Sequence, residues 1–128
     1  MKVYLAGGMR NGWREVVKRV VPTHTYSDPS LHGLITEKEY TEWDLAAIRD
    51  ADVVFGYMEF DNPSGIGLSN EIGYAYALGK YIIFVDESSE AKSVYMGMCR
   101  VEATMVFSLL REAIDHLASL TYANMGES

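Results

Sequence analysis

Asp52-Val53-Val54-Phe55-Gly56-Tyr57-Met58 is apolar on both faces after its first residue, and Tyr81-Ile82-Ile83-Phe84-Val85 repeats the pattern. Runs this short and this apolar fit strands of a parallel sheet, covered on both sides. Between them lie a loop rich in Pro, Ser, Asn and Gly, from Glu59 to Gly67, and a helical stretch from about Leu68 to Leu78. Leu68, Ile72, Ala75 and Tyr76 share one side of that helix, and Gly79 stands where a C-terminal cap belongs. Two buried strands joined through a helix form a right-handed crossover within one sheet.

The same alternation extends in both directions. Val3-Tyr4-Leu5-Ala6 reads as a short buried strand that stops at Gly7-Gly8. Asn11 can then cap a helix whose face is Trp13, Val16, Val17 and Val20. Pro22 ends it, and Thr23 to Tyr26 is a second strand, followed by a polar loop from Ser27 to Gly33. Thr36-Glu37-Lys38-Glu39 fits a capping box opening a helix to about Asp50. Downstream of Val85 come a polar loop to Lys92, a last strand over Thr104 to Phe107, and a last helix capped by Ser108. That helix shows Leu109, Leu110, Ala113, Ile114 and Leu117 on one face; the tail after Leu120 carries no signal. The order predicts one α/β domain over residues 1–128. Its architecture is a flavodoxin-like three-layer sandwich around about five parallel strands in the order 2-1-3-4-5. Such sheets hold ligands beyond the carboxyl ends of their strands, at the switch point between strands one and three. The loops Ala6 to Gly12 and Glu59 to Asn70 therefore carry the site.

Composition narrows what that site does. The single cysteine, Cys99, excludes an intramolecular disulfide and suits a reducing cytoplasm. No apolar run is long enough to span a membrane, and the first six residues are too short for a signal peptide. Eighteen acidic residues against 11 basic give a net charge of −7, which repels a nucleic-acid polymer but leaves room for a small ligand in a locally positive pocket. His24, His32 and His116 are scattered, as expected of loop or surface positions, and no Cys/His spacing suggests a metal. There is no phosphate-binding G-x-x-x-x-G-K-[ST] run. Gly65-Ile66-Gly67-Leu68-Ser69-Asn70 begins like a dinucleotide fingerprint but has Asn70 at the third glycine, and Glu71 would face the pyrophosphate. Neither cofactor nor metal is expected. Glu71, in the first turn of its helix, is either a dipole-stabilised surface carboxylate or a nucleophile aimed into the crevice.

Asn70-Glu71-Ile72-Gly73-Tyr74-Ala75-Tyr76-Ala77-Leu78-Gly79-Lys80 resembles the E-[IL]-G-x-A-x-A-x-G-K segment of the nucleoside 2-deoxyribosyltransferase family. Val3-Tyr4-Leu5-Ala6-Gly7-Gly8-Met9-Arg10 is similar to that family's first strand and loop, and to those of the related deoxynucleoside 5′-monophosphate N-glycosidases. Trp43-Asp44-Leu45 ahead of Ala51-Asp52-Val53-Val54 resembles a third shared segment. The resemblance implies that Glu71 attacks the anomeric carbon of a deoxyribose. Tyr4 would orient Glu71 and Asp44 would meet the departing base. Gly7, Gly8, Met9, Arg10, Gly65 and Gly67 would line the substrate, with Arg10 near a 5′-phosphate. Ser93 matches a serine that the hydrolases donate across a subunit interface, and Asp61 is the candidate for an aspartate that recognises base or sugar. The hydrolases' first-loop serine is Gly8 here. The resemblance thus implies transfer of a deoxyribosyl group between bases. A 5′-monophosphate hydrolase is the alternative, and a non-catalytic nucleotide sensor a third. A homo-oligomer is expected, because Val94, Tyr95, Met96 and Met98 are apolar for a loop region.

Overall fold

A computed structural model describes residues 1–126; Glu127 and Ser128, the last two of the expected domain, lie outside the described residues. The strands are β1 (Lys2–Gly7), β2 (Thr25–Ser27), β3 (Val53–Met58), β4 (Tyr81–Asp86) and β5 (Met105–Phe107), all parallel, in the order β2-β1-β3-β4-β5. This is the expected flavodoxin-like sheet. The helices are α1 (Trp13–Val20), α2 (Glu37–Asp50), α3 (Ile66–Ala77), α4 (Glu90–Ser93), α5 (Gly97–Glu102), α6 (Leu110–Ser119) and α7 (Tyr122–Met125).

Alternation along the strands sorts the core into two faces. Val3, Leu5, Phe55, Ile83 and Val85 pack against Trp13 and Val17 of α1 and Ala113, Ile114 and Leu117 of α6. Tyr4, Ala6, Val54, Met58, Ile82 and Phe84 face α2, α3 and α5 through Ile48, Leu68, Ile72, Ala75 and Cys99. The pleat alone puts Tyr4 on the α2/α3 side, the side on which Asp44 and Glu71 are carried.

Several boundaries differ from expectation. Asn11 does not cap α1: it sits at φ 58, and Gly12, at φ 67, is the cap residue without a side-chain bond. Ser108 does not cap α6; the Leu110 amide instead donates to Glu87 Oε2 at 2.7 Å, a carboxylate from beyond β4. The apolar segment from Ser93 to Arg100 is mostly helical rather than loop. The tail holds a helical turn closed by a Thr121–Asn124 capping box. Thr36 does cap α2, accepting from the Glu39 amide, and Gly79 ends α3 at φ +71.

Candidate active site

The carboxyl ends of β1 and β3 open onto a cleft with three adjoining recesses. The central one, about 230 Å³, is lined by Asp44, Leu45, Gly67, Leu68, Asn70 and Glu71 among others. An outer one, about 410 Å³, runs between His32, Leu34, Ile35, Tyr40 and Asp44. A loop recess of about 280 Å³ lies on the opposite side, between Gly8, Arg10, Glu59, Asn62 and the start of α3. Met9 borders all three, while Gly7 and Gly67 border the central and loop recesses.

Tyr4 and Glu71 meet at the floor. Tyr4 is fully buried in β1, and its hydroxyl donates to Glu71 Oε2 at 2.5 Å. Burial, followed by the Glu71 charge, pushes the Tyr4 hydroxyl far above its ordinary range, so it serves as a fixed donor. Glu71 has a pKa raised to about 7, chiefly by burial and further by the Asp44 charge, against the Tyr4 hydrogen bond. Asp44 is raised as well, by burial, while His32, Glu71 and Arg14 pull it back. Two carboxyls that perturb each other titrate as a pair, and with Glu71 at about 7 this pair gives up its last proton around neutrality. One member can attack as an anion while the other supplies a proton.

The glycine loop is built from underneath by Arg14. Its guanidinium, nearly fully buried, donates to the carbonyls of Leu5 at 3.2 Å, Gly7 at 2.9 Å and Gly8 at 2.7 Å. It also lies 3.5 Å from Asp28 Oδ1 and 4.6 Å from the Trp13 ring centre. Carbonyls drawn inward this way leave the other edge of the loop to the cleft. Gly7 itself, at φ +146, passes so close to β3 that a Cβ would stand 2.5 Å from the Tyr57 carbonyl oxygen.

The structure thus brings together Tyr4, Asp44, Glu71, Gly7, Gly8, Met9, Arg10, Gly65 and Gly67. It does not bring Asp61 or Ser93 into this chain's cleft. Asp61 is exposed, and its main-chain oxygen accepts from Arg10 at 3.2 Å. Ser93 Oγ donates to Asp86 Oδ2 at 2.6 Å and accepts from Arg100 at 3.1 Å. Its expected role concerns a neighbouring copy's cleft. The histidines are not bland surface residues: His24 meets the Leu117 carbonyl at 3.0 Å and His116 meets Tyr81 at 2.8 Å. His32 is part of the site. Its Nδ1 accepts from the Leu34 amide at 2.9 Å, which leaves the proton on Nε2, and Nε2 lies 3.3 Å from Asp44 Oδ1. Trp43 braces the ring edge-on at 4.8 Å. In the sequence His32 is only one residue of the polar loop from Ser27 to Gly33, and nothing local marks it as facing Asp44. Glu59 and Asn62 were also missed as lining residues. Among the described residues, no group of His, Cys, Asp or Glu is arranged to hold a metal ion, and no helix is long and apolar enough to cross a membrane.

Comparison with known proteins bears on the family and the fold. The family model described as nucleoside 2-deoxyribosyltransferase like matches residues 1–89. A search of curated proteins gives no match. Among solved structures, a 2-deoxyribosyltransferase from Bacillus psychrosaccharolyticus superposes with a TM-score of 0.72 at 23% identity, covering 98% of this chain and 96% of that one. A 2-deoxyribosyltransferase from Leishmania mexicana gives 0.68 at 17% identity, over 91% of this chain and 96% of that one. A CMP N-glycosidase from Clostridium botulinum gives 0.63 at 18% identity, over 91% and 98%. At these identities the structural likeness concerns the fold.

Proposed function

The chain belongs to the nucleoside 2-deoxyribosyltransferase-like family, and on that premise we propose that it cleaves the N-glycosidic bond of a 2′-deoxynucleoside and transfers the deoxyribosyl group to another base. The observation that carries the reading is the 2.5 Å hydrogen bond from buried Tyr4 to Glu71, beside a second raised carboxyl at Asp44. Glu71 does not stand in the first turn of its helix, the place expected of it, but is the sixth residue of α3, so a favourable place on the helix dipole does not account for it.

In this reading the base lies toward Asp44 and His32 and the sugar lies over Glu71. A Glu71 oxygen attacks C1′ as the C1′–N bond breaks, and the bonding electron pair leaves with the base. The proton held by the carboxyl pair reaches the departing nitrogen from Asp44, so the base leaves neutral. The product is a glycosyl ester on Glu71, with Tyr4 holding the remaining oxygen. An acceptor base then attacks C1′ from the vacated side and returns its proton to Asp44, and Glu71 is freed. Charge developing on the sugar is stabilised by the adjacent carboxylate. One domain spanning residues 1–128 carries these steps, with no cofactor or metal, and a second copy completes the cleft.

A second reading, hydrolysis of deoxynucleoside 5′-monophosphates, draws on Arg10 at the mouth of the loop recess. The test is a panel of deoxynucleosides and their 5′-monophosphates, with and without a free acceptor base, followed by product identification. Base exchange with nucleosides is expected, and Glu71→Ala should lower turnover by about 10³-fold or more while the protein stays folded. A Glu71→Ala protein with most of its activity would refute the assignment.

A further inference from the structure

Glu59 follows β3 directly and is fully buried, yet neither of its carboxylate oxygens completes a hydrogen bond of ordinary geometry. Buried polar groups are almost always paired, so an acid kept in this state calls for an explanation. Its position supplies one. The carboxyl lies directly beneath the glycine loop: a Cβ built on Gly8 would stand 2.1 Å from Glu59 Oε1 and 3.3 Å from Asn62 Nδ2. The Gly8 amide faces the carboxyl and, with Arg14 and Arg10, opposes the upward pull of burial and Asp61 on its pKa. Glu59 therefore fills, with the chain's own carboxyl, the loop side of the recess where a glycine loop and a helix start would otherwise cradle an oxyanion. Arg10, the cation at the rim, is tied to the Asp61 carbonyl instead. The recess adjoins the central one on the side away from Asp44 and His32, so with the base placed toward those residues it receives the far end of the sugar.

We propose that Glu59 is a specificity-determining residue that bars a phosphate from the 5′ end of the sugar, so that the substrates are unphosphorylated 2′-deoxynucleosides. The inference rests on the placement of the base and sugar given above. A fixed carboxylate lining a site is a repulsive element against a dianion and leaves a neutral hydroxymethyl group unaffected by charge.

The test compares one 2′-deoxynucleoside with its own 5′-monophosphate at pH 7, where the phosphate is mostly dianionic, and repeats the comparison at pH 8. Wild type should favour the nucleoside in kcat/KM by about tenfold or more, and Glu59→Gln should raise the monophosphate-to-nucleoside ratio by a similar factor. Binding of both compounds is measured by calorimetry on Glu71→Ala and on Glu71→Ala/Glu59→Gln, so that the comparison does not depend on turnover. If no N-glycoside is turned over, the functional reading fails, and the binding ratio still judges Glu59. A wild type that prefers the monophosphate, or a ratio unchanged by Glu59→Gln, overturns the proposal. Should Glu59→Gln fail to fold, inorganic phosphate on the wild type decides. No competitive inhibition at tens of millimolar is the expected result, and clear competition overturns the proposal.

Discussion

Replacing Tyr4 by Phe removes one hydroxyl from the floor of the cleft and leaves the ring in its buried place. The hydroxyl donates to Glu71 at 2.5 Å and lowers the proton affinity of that carboxyl, whose pKa stands at about 7. A hydrogen bond to a charged group contributes about 1.5–3 kcal/mol. At about 1.4 kcal/mol per pKa unit, losing it raises the upper ionisation of the Glu71/Asp44 pair by about 1–2 units. In the proposed mechanism the reacting form of the pair holds one proton, on Asp44, with Glu71 ionised. Activity therefore rises as the doubly protonated pair loses a proton and falls as the last proton leaves. Tyr4→Phe should move the alkaline limb of kcat/KM upward by those 1–2 units. It should also lower the plateau about 10–100-fold, because the proton, which already favours Glu71, is held there more tightly and the form with Glu71 ionised is scarcer. The assay is a pH profile of base release for wild type and Tyr4→Phe. A uniform loss with an unmoved alkaline limb, or profiles that superimpose, would mean that Tyr4 only fills the core.

Glu71 also costs stability. Its native pKa of about 7 exceeds its ordinary value of 4.5, so the native state holds a proton that the unfolded chain has released between those values. Stability is therefore lost as pH rises through that window, by about 3 kcal/mol for a shift of this size. Glu71→Gln should melt several degrees above wild type at pH 8 and not at pH 4; equal differences at both pH values would contradict the burial argument. Asp44→Asn should slow poor leaving bases far more than good ones, since an amide cannot deliver a proton, and equal losses would leave Asp44 a positioning residue. His32→Gln should shift the acid limb of kcat/KM upward, because His32 holds the Asp44 pKa down; an unmoved limb would detach His32 from the site. Val94, Tyr95, Met98 and Val101 are 68–83% exposed, an apolar surface suited to an interface, so sedimentation should give a homo-oligomer rather than a fully active monomer.

The sequence by itself determined the sheet and the place of Glu71 relative to it. Fully apolar runs such as Val53 to Met58 and Tyr81 to Val85 admit few environments other than the middle of a covered parallel sheet. The α3 segment carries Glu71 in a family pattern that is local in the chain. What it left undetermined depends on partners far apart in sequence. Arg14 lies off the apolar face of α1, yet it is buried because the carbonyls of Leu5, Gly7 and Gly8 and the carboxylate of Asp28 surround it. His32 becomes a site residue only when the loop after β2 folds over α2 and sets its Nε2 against Asp44. Ser108 sits at the place a cap should occupy, yet α6 is capped by Glu87, which the β4–β5 pairing brings within reach. Glu59, read along the chain, is an acid opening a polar loop; only the packing of that loop beneath Gly8 buries it. Periodicity reports which face of an element turns inward, because that depends on neighbouring residues alone. Which charge is desolvated, and which group compensates it, is set by the folded surroundings, and only the tertiary structure decided those.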